Sequence, residues 1–350
     1  MGNTSLTSEI REYARSCGAD IFGVTSAEPF GNYLDTVAEL ERIGKFEGLP
    51  ISNHINTCRA DARNVLRSAR SIIVVGVPYK LSVLRDDSGE HGGPHVFFGR
   101  YWLYARNARR VFGDLDQSIA GYMQKQGFEA RAAGNRGIPL KPAAVRAGLA
   151  NYGKNAIAYT EEFGSWIWWF GVVTEADLEH SDASGEDICG KCDRCVKACP
   201  TGALYEAYRL DALRCRTYLT HPSMQDVGEI EDSLKERIGS CLCGCEICQD
   251  VCPLNREVKP IEVSAISDFS HYGVPLPDLE KLPLSDLIEL LKGECSHYLQ
   301  RYAAICIGNL KGADNALPAL TTMLNSEDEL VRKYAGWAID RIKRHKAHID

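Results

Sequence analysis

Two runs of cysteine residues have the clearest chemical meaning in this sequence of 350 residues. The first run has the pattern C-x2-C-x2-C-x3-C-P, which holds iron–sulfur clusters in two-cluster ferredoxins. The second run, C-x2-C-x3-C-P, repeats most of that pattern, and Cys215 stands between the runs. Together they provide eight thiolates, the number that two four-iron clusters need. These are Cys189, Cys192, Cys195, Cys199, Cys215, Cys245, Cys248 and Cys252.

The spacing also predicts which cysteines share a cluster. Three cysteines two residues apart wrap one cluster, whereas the fourth, followed by proline, points away and ligates the other. The first ligand set is therefore Cys189, Cys192, Cys195 and Cys252, and the second ligand set is Cys199, Cys215, Cys245 and Cys248. A zinc site or a disulfide network is the alternative, but zinc ribbons seldom use this spacing before C-P.

The overall composition is that of a globular protein. A hydrophobic content of 45% and a charged content of 25% are ordinary for a soluble chain, which is long enough for two or three domains. The net charge of −7 argues against a broadly basic surface but leaves room for a local basic groove. Cysteines at metal-site spacing favour a reducing, cytoplasmic setting. We expect no membrane partner, because no apolar run reaches spanning length and no signal peptide is apparent.

The segments around the cysteines must position them, and their patterns change along the chain. Before the runs, helical and strand patterns alternate, with a β-branched strand at 71–79 that should be central in a sheet. We also predict a hairpin of 155–160 and 165–174 and an acidic, linker-like stretch at 176–187. After the runs, amphipathic helical patterns resemble a helical repeat. The predicted helices are 4–17, 34–44, 101–126, one from about 142, 297–310, 316–324 and 330–344.

With these motifs in hand, the chain resembles the epoxyqueuosine reductase family over most of its length. The cysteine runs alone are weakly specific, but the other motifs add to them. The resemblance is carried by CGKCDRCVKACPTGA at 189–203, RCRTYLT at 214–220, CEICQDVCPLNR at 245–256, RAGL at 146–149, GKN at 153–155, GSW at 164–166 and the tail segments 301–310 and 332–338.

The resemblance implies an α+β chain with three parts. These are a nitroreductase-like cobalamin-binding domain at 1–180, a two-cluster ferredoxin domain at 181–260 and, after a linker at 261–284, a HEAT-like helical repeat at 285–350. It further implies base-off cobalamin and two [4Fe-4S] clusters, fed by an external one-electron donor of the ferredoxin or flavodoxin type. The oligomeric state stays open.

In the family the helical tail cups tRNA. Here Lys343, Arg344 and Lys346 near the end of the tail suit phosphate contacts. The alternative is that these charges only solvate the last helix, whose dipole favours basic residues at that end.

One departure from the family concerns the proton donor. The family places a catalytic aspartate before an Ala-Pro or Gly-Pro pair, whereas residues 134–141 contain no carboxylate. The remaining candidate proton donors are cations and phenols. Lys141 is the first candidate among the cations and Arg136 is the second. The candidate phenols are Tyr101, Tyr104 and Tyr152. A lysine desolvated against a corrin can act as a general acid. The alternative is a solvated lysine at the surface.

The resemblance also marks residues that would contact the cofactors. Each has an ordinary structural alternative, such as a turn or a solvated charge. The candidates are Arg59, Pro139, Lys154, Asn155, Ser165, Trp166 and Arg216. Cys241 and Cys243 are surplus to the two ligand sets, and we expect them to pack as small apolar residues. The alternative is that one of them replaces a cluster ligand.

The resemblance implies that the chain reduces epoxyqueuosine to queuosine in tRNA, and two other functions remain open. The chain could be a paralogue that reduces a small molecule, as reductive dehalogenases do, which the lysine in place of a carboxylate favours. It could instead be an iron–sulfur electron carrier that re-reduces another corrinoid protein and has no substrate of its own.

Overall fold

The computed structural model describes residues 3–45, 58–80, 94–99, 114–181, 185–220, 228–260, 281–292 and 295–347. The helices, in chain order, are α1 Asn3–Ser16, α2 Gly31–Arg42, α3 Leu115–Lys125, α4 Gly134–Gly137, α5 Leu140–Arg146, α6 Arg194–Ala198, α7 Arg216–Leu219, α8 Asp232–Ile238, α9 Ile247–Asp250, α10 Leu284–Lys292, α11 His297–Asn309, α12 Leu317–Met323 and α13 Glu329–Ala347. The strands are β1 Ile21–Ser26, β2 Ser71–Pro78, β3 His95–Phe98, β4 Ala130–Ala132, β5 Asn151–Tyr152, β6 Ala158–Tyr159, β7 Ile167–Thr174, β8 Leu204–Glu206, β9 Arg209–Leu210, β10 Cys241–Cys243 and β11 Lys281–Pro283.

A four-stranded antiparallel sheet forms the centre of the first part, in the order β1-β2-β7-β4. Every residue of β2 is buried, as predicted for a central strand. Ile72 and Val74 face one apolar layer, whereas Ile73 and Val75 face another, so both sides of the sheet are covered. Helices α1 and α3 supply the second of these layers, and α5 supplies the first.

The predicted hairpin is wrong. Strand β7 pairs with β2 and β4, while β6 pairs with β5, so the two predicted arms belong to different sheets. Between them, Thr160 and Gly164 make only an isolated bridge. The physical reason is that β7 is apolar on both faces and gains more burial at the centre of the large sheet than in an exposed hairpin.

Other predicted elements differ in their limits. The helix predicted at 101–126 is described only as α3, from Leu115, since residues 101–113 lie outside the described residues. Helix α5 begins at Leu140, two residues before the predicted start at about residue 142. Residues 176–181 are not a linker, because the backbone N–H of Leu178 donates to Ser71 Oγ at 3.1 Å.

Helix α5 lies close against the sheet and the end of β1. A Cβ added at Gly171 in β7 would lie 2.7 Å from Leu140, so the glycine permits this approach. At the other end of α5, the Arg146 guanidinium donates to Thr25 Oγ1 at 3.0 Å and stacks 3.7 Å from the centre of the Phe30 ring. These contacts fix the helix whose first turn carries Lys141.

A separate apolar core joins the cysteine-rich part to the tail. Tail helices α11, α12 and α13 bury residues such as Tyr302 and Leu320 in it, together with Ile238 from α8 and Leu242 from β10. Strand β3 joins the same core and pairs with both β10 and β11, so part of the predicted linker is a strand. The α+β class with a helical tail is confirmed; the domain limits 1–180, 181–260, 261–284 and 285–350 stay predictions. Among the described helices, none combines the length and apolarity needed to cross a membrane.

Candidate functional site

A cavity of about 370 Å³ lies between the sheet domain and the cysteine-rich segments. Its volume falls in the range of small-molecule sites. One wall is largely apolar and includes Leu140, Ile157, Ile167, Trp168 and Trp169. The opposite wall consists of the segments around Cys199, Cys215 and the second cysteine run.

All four cysteines of the second ligand set line this cavity: Cys199, Cys215, Cys245 and Cys248. Burial raises the pKa of the Cys215 thiol, and the charge of Cys199 acts in the same direction. The pKa of Cys248 is raised by burial and by Cys245 and Cys215. The second set is therefore a group of neighbouring thiols, drawn from three separate segments of the chain, around one space.

The first ligand set lies outside the cavity and nearer the surface. Burial raises the pKa of Cys189, and Cys252 adds to this effect. Burial also raises the pKa of Cys195, and Cys189 and Cys252 act in the same direction. The Asp187 carboxylate accepts the N–H groups of Cys189 and Gly190, both at 3.1 Å, and so shapes the loop. Four residues of this loop are exposed: Gly190, Lys191, Asp193 and Arg194.

Among the described residues, no three metal-binding side chains converge as they would on a single ion. A four-iron cluster has a different requirement, since each thiolate ligates its own iron and the sulfurs stay apart. The proximity of the thiols agrees with the two predicted ligand sets, whose assignment stays a prediction.

Lys141 lies on the cavity wall. Its side chain is exposed to the cavity, and its ammonium donates to the Ala156 carbonyl at 3.0 Å. Desolvation of the ammonium by the surrounding protein lowers the pKa of Lys141. The charge of Cys215 opposes this effect, and the positive charge of Arg59 reinforces it. The lysine is therefore a proton-bearing group that faces the same space as the second ligand set. Tyr101 and Tyr104 lie outside the described residues, and so does the side chain of Arg136, whose backbone is part of α4.

The other predicted candidates occupy different places. Arg59 is half-buried, its Nε has no hydrogen-bond partner among the described atoms, and burial lowers its pKa. Pro139 is buried and precedes α5 without lining the cavity. The backbone N–H of Lys154 lies 3.4 Å from Cys189 Sγ, so this residue contacts the first ligand set instead of the cavity. Whether these residues bind a cofactor stays a prediction.

Asn155 and Ser165 line the cavity, as predicted for cofactor contacts, but their side chains are also held by the protein. Asn155 Nδ2 donates to the Tyr159 hydroxyl at 2.8 Å and to the Cys248 carbonyl at 3.3 Å. Trp166 is only 1% exposed and does not line the cavity; its ring packs edge-on against Tyr79.

A buried polar network behind Ser165 was missed by the sequence analysis. Asn255 Oδ1 accepts the Ser165 N–H at 2.9 Å, and Asn255 Nδ2 donates to Ser165 Oγ and to the Gln249 carbonyl, both at 2.8 Å. Gln249 Nε2 donates to the same Oγ at 3.0 Å. The available signal was the pair of amide residues on either side of the Cys252-Pro step: Gln249 within the second run and Asn255 just after it. This network ties the second run to Ser165, just before strand β7, which contributes Ile167, Trp168 and Trp169 to the cavity wall.

Gly164 is required by the same network. Its φ is +55°, which favours glycine, and an added Cβ would lie 2.2 Å from Asn255 Oδ1. The Gly-Ser-Trp motif therefore needs its glycine to let the Asn255 amide reach the backbone of Ser165.

Arg216 follows Cys215 and lines the cavity. Its Nη1 donates to the Ile238 carbonyl at 3.1 Å. Burial alone would lower its pKa, but neighbouring groups raise the pKa overall: Cys241 first, then Cys245 and the Glu246 carboxylate. Cys241 and Cys243 are buried, as expected for packing thiols.

Two family models match parts of the chain. The model of a 4Fe-4S double cluster binding domain matches residues 188–255, which contain both cysteine runs. The model of HEAT repeats matches residues 284–348. The predictions of a two-cluster domain and of a HEAT-like tail are thus confirmed.

Individual relatives cover most of the chain. The epoxyqueuosine reductase of Synechocystis sp. is 33% identical, over 65% of this chain and 76% of the relative. That of Bacillus subtilis is 28% identical, over 96% of this chain and 88% of the relative. A crystal structure of epoxyqueuosine reductase with an epoxyqueuosine-modified stem loop of tyrosine tRNA has a TM-score of 0.79 and 25% identity, over 97% of this chain and 91% of that one.

Proposed function

This chain belongs to the epoxyqueuosine reductase family, a family of cobalamin-dependent oxidoreductases, and we propose that it reduces epoxyqueuosine to queuosine in tRNA. The observation that supports this proposal most is the shared cavity. Four cysteines of one ligand set, an ammonium group and an apolar aromatic wall all face one space. An electron source, a proton source and a binding surface are thus adjacent.

The donor set fits the cofactors that the family uses. Thiolates are the ligands of iron–sulfur clusters, and the second ligand set offers four of them around one cavity. The apolar wall with Trp168 and Trp169 suits a large planar ring, whereas the Asn155 amide, which also lines the cavity, is held by Tyr159 and the Cys248 carbonyl. None of the described lining residues is histidine, which suits the base-off form. When bound, the clusters and the corrinoid would carry electrons to the substrate.

The position of each ligand set suggests the order of electron transfer. The loop of the first set is exposed, so an external one-electron donor of the ferredoxin or flavodoxin type can approach it. The second set lines the cavity where the substrate would react. Burial raises the pKa of Cys248, and Cys195 of the first set adds to this effect, which is consistent with the two sets being near each other. We therefore assign the first set to the distal cluster and the second to the proximal one.

The tail would bind the tRNA. Lys343, Arg344 and Lys346 are exposed at the end of α13 and can contact phosphates. The related structure with a bound tRNA stem loop supports this part of the proposal. A cytoplasmic location agrees with such a substrate.

The test is made on protein purified without oxygen and incubated with cobalamin. We expect roughly one cobalt per eight irons and conversion of epoxyqueuosine in tRNA. Retained cobalt with no conversion would refute the proposed substrate. Eight irons without retained cobalt would refute the enzyme assignment and favour an electron carrier that serves another corrinoid protein.

A second candidate function is the reduction of a small electrophile, as in reductive dehalogenases. The observation in its favour is that residues 134–141 contain no carboxylate, while Lys141 faces the cavity. Reduction of a halogenated aromatic compound without any conversion of the tRNA would support this candidate over the first.

In both candidates Lys141 would donate the proton, from an ammonium that the Ala156 carbonyl orients. We expect the K141M variant to keep its iron and cobalt but to lose about 10²-fold or more in turnover, as general acid catalysis requires. The matched control is K125M, at the exposed end of α3. Turnover of K141M equal to that of K125M would exclude Lys141 as the donor.

A further inference from the structure

We propose that Arg216 provides a fixed positive charge that raises the reduction potential of the cluster held by the second ligand set. This inference rests on the cofactors in the proposed function but not on the substrate. It assigns a specific task to a residue that the sequence marks only as a general cofactor contact.

Arg216 is placed for this task by the backbone. It directly follows Cys215 in the chain and lines the same cavity as all four cysteines of the second set. The side chain is directed by a hydrogen bond from Nη1 to the Ile238 carbonyl, at the end of α8. The guanidinium therefore lies beside the cluster site and not in solvent.

The tail braces this arrangement from behind. Asn309, at the end of α11, donates to the carbonyls of Lys235 and Gly239 at 2.8 and 3.1 Å. These two carbonyls flank the one that receives Arg216 Nη1, so the end of α8 is held on both sides. Because the Ile238 carbonyl is held in place, the Arg216 side chain that donates to it stays beside the site.

One donor of Arg216 has no acceptor. Its Nε is buried and has no hydrogen-bond partner within the described part of the chain. An unsatisfied buried donor is costly, so a native structure is expected to supply a partner. Hydrogen bonds to cluster sulfurs raise the potential of iron–sulfur clusters, and a cluster at this site would offer such an acceptor.

The charge of Arg216 is permanent, because the pKa of a guanidinium is far above any working pH. Reduction adds one electron, and hence one negative charge, to the cluster. A nearby positive charge stabilises the product more than the oxidised form, and burial strengthens the effect by limiting solvent screening. Removing the charge should therefore make the cluster harder to reduce.

Arg214 offers a matched control, since it flanks Cys215 on the other side. Its side chain is exposed, with Nε 3.3 Å from the Thr201 carbonyl. The R214Q variant loses the same charge at the same sequence distance from the ligand, but from a solvated position. Solvent screening predicts a small effect there.

The experiment is an anaerobic reductive titration of the cluster-loaded proteins, followed by electron paramagnetic resonance, with dithionite as the source of electrons. We expect R216Q to lower the midpoint potential of one of the two clusters. The shift should correspond to at least a tenfold change in the one-electron equilibrium constant, about 59 mV. R216K, which keeps the charge, should shift less than R216Q, and R214Q should leave both potentials close to wild type.

Equal shifts in R216Q and R214Q, or unchanged potentials in R216Q, would overturn the proposal. If R216Q loses iron, R216K decides: full iron with a near-wild-type potential supports a charge effect, whereas loss of iron there too shows a purely structural role. The readout is independent of the proposed substrate. Inactivity of the wild type on tRNA would refute the proposed function and leave this titration valid.

Discussion

The most informative perturbation of the fold is N255A, because the Asn255 side chain joins the second cysteine run to the cavity wall. Truncation removes the acceptor of the Ser165 N–H and both bonds that Nδ2 donates, to Ser165 Oγ and to the Gln249 carbonyl. Asn255 is only 4% exposed and Ser165 only 2%, so water does not readily replace the lost partners.

The magnitude follows from what each lost bond is worth. A hydrogen bond contributes about 1 kcal/mol net, whereas a buried donor left unsatisfied costs about 1–3 kcal/mol. The Ser165 N–H is such a donor, and the two bonds from Nδ2 are lost besides. We therefore expect N255A to lower the free energy of unfolding by about 3–5 kcal/mol.

The assay is urea unfolding of the cluster-loaded protein without oxygen, followed by tryptophan fluorescence, since Trp166 is adjacent to Ser165. The control is N325A, which makes the same truncation at an exposed position. A loss below about 1 kcal/mol in N255A, or a loss no larger than in N325A, would contradict the argument that this network holds the cysteine run to the sheet.

Two further predictions concern Gly164 and the tail. G164A should lower the free energy of unfolding by at least about 1–2 kcal/mol because residue 164 has a left-handed backbone, and by more because the added Cβ would displace Asn255. In urea unfolding, the effect of G164A should be smaller in the N255A background, where the clashing side chain is absent. Fully additive effects of the two substitutions would disprove the clash. Hydrogen bonding to Arg301 lowers the pKa of Asp328, so the stability that this pair contributes is complete above about pH 4 and is lost as the pH falls through the lowered pKa. The difference in urea midpoint between wild type and D328N should therefore be largest near about pH 6 and become smaller in acid. Cluster loss in acid affects both proteins equally. A difference that does not change with pH would exclude a contribution of Asp328 ionisation to stability.

Some features follow from the sequence because they depend on local spacing. The ligand pattern of Cys189, Cys192 and Cys195 is set by the reach of a short loop. Strand β2 could be predicted because it contains the β-branched run Ile72–Val75, which is apolar on both faces, as expected for a strand that is buried on both sides. The amphipathic helices of the tail show their buried faces in the same way.

Other features depend on partners that are distant in the chain. Strand β7 was predicted to pair with its neighbour in sequence, yet it pairs with β2 and β4, because burial on both faces outweighs a short connection. Lys154 lies in a turn that the sequence assigns to the cofactor pocket, but the fold places it beside Cys189.

The sequence by itself thus provided the chemical signals of this protein: eight thiols at cluster spacing, motifs that resemble one family of reductases, and a lysine but no carboxylate within residues 134–141. Only the tertiary structure decided which groups share a space. Lys141 and the second ligand set meet at one cavity, and Asn255 holds the cysteine run to its wall. The physical reason is that metal-ligand spacing is a local property of the chain, whereas burial and hydrogen bonding of polar side chains depend on segments that meet only when the chain folds.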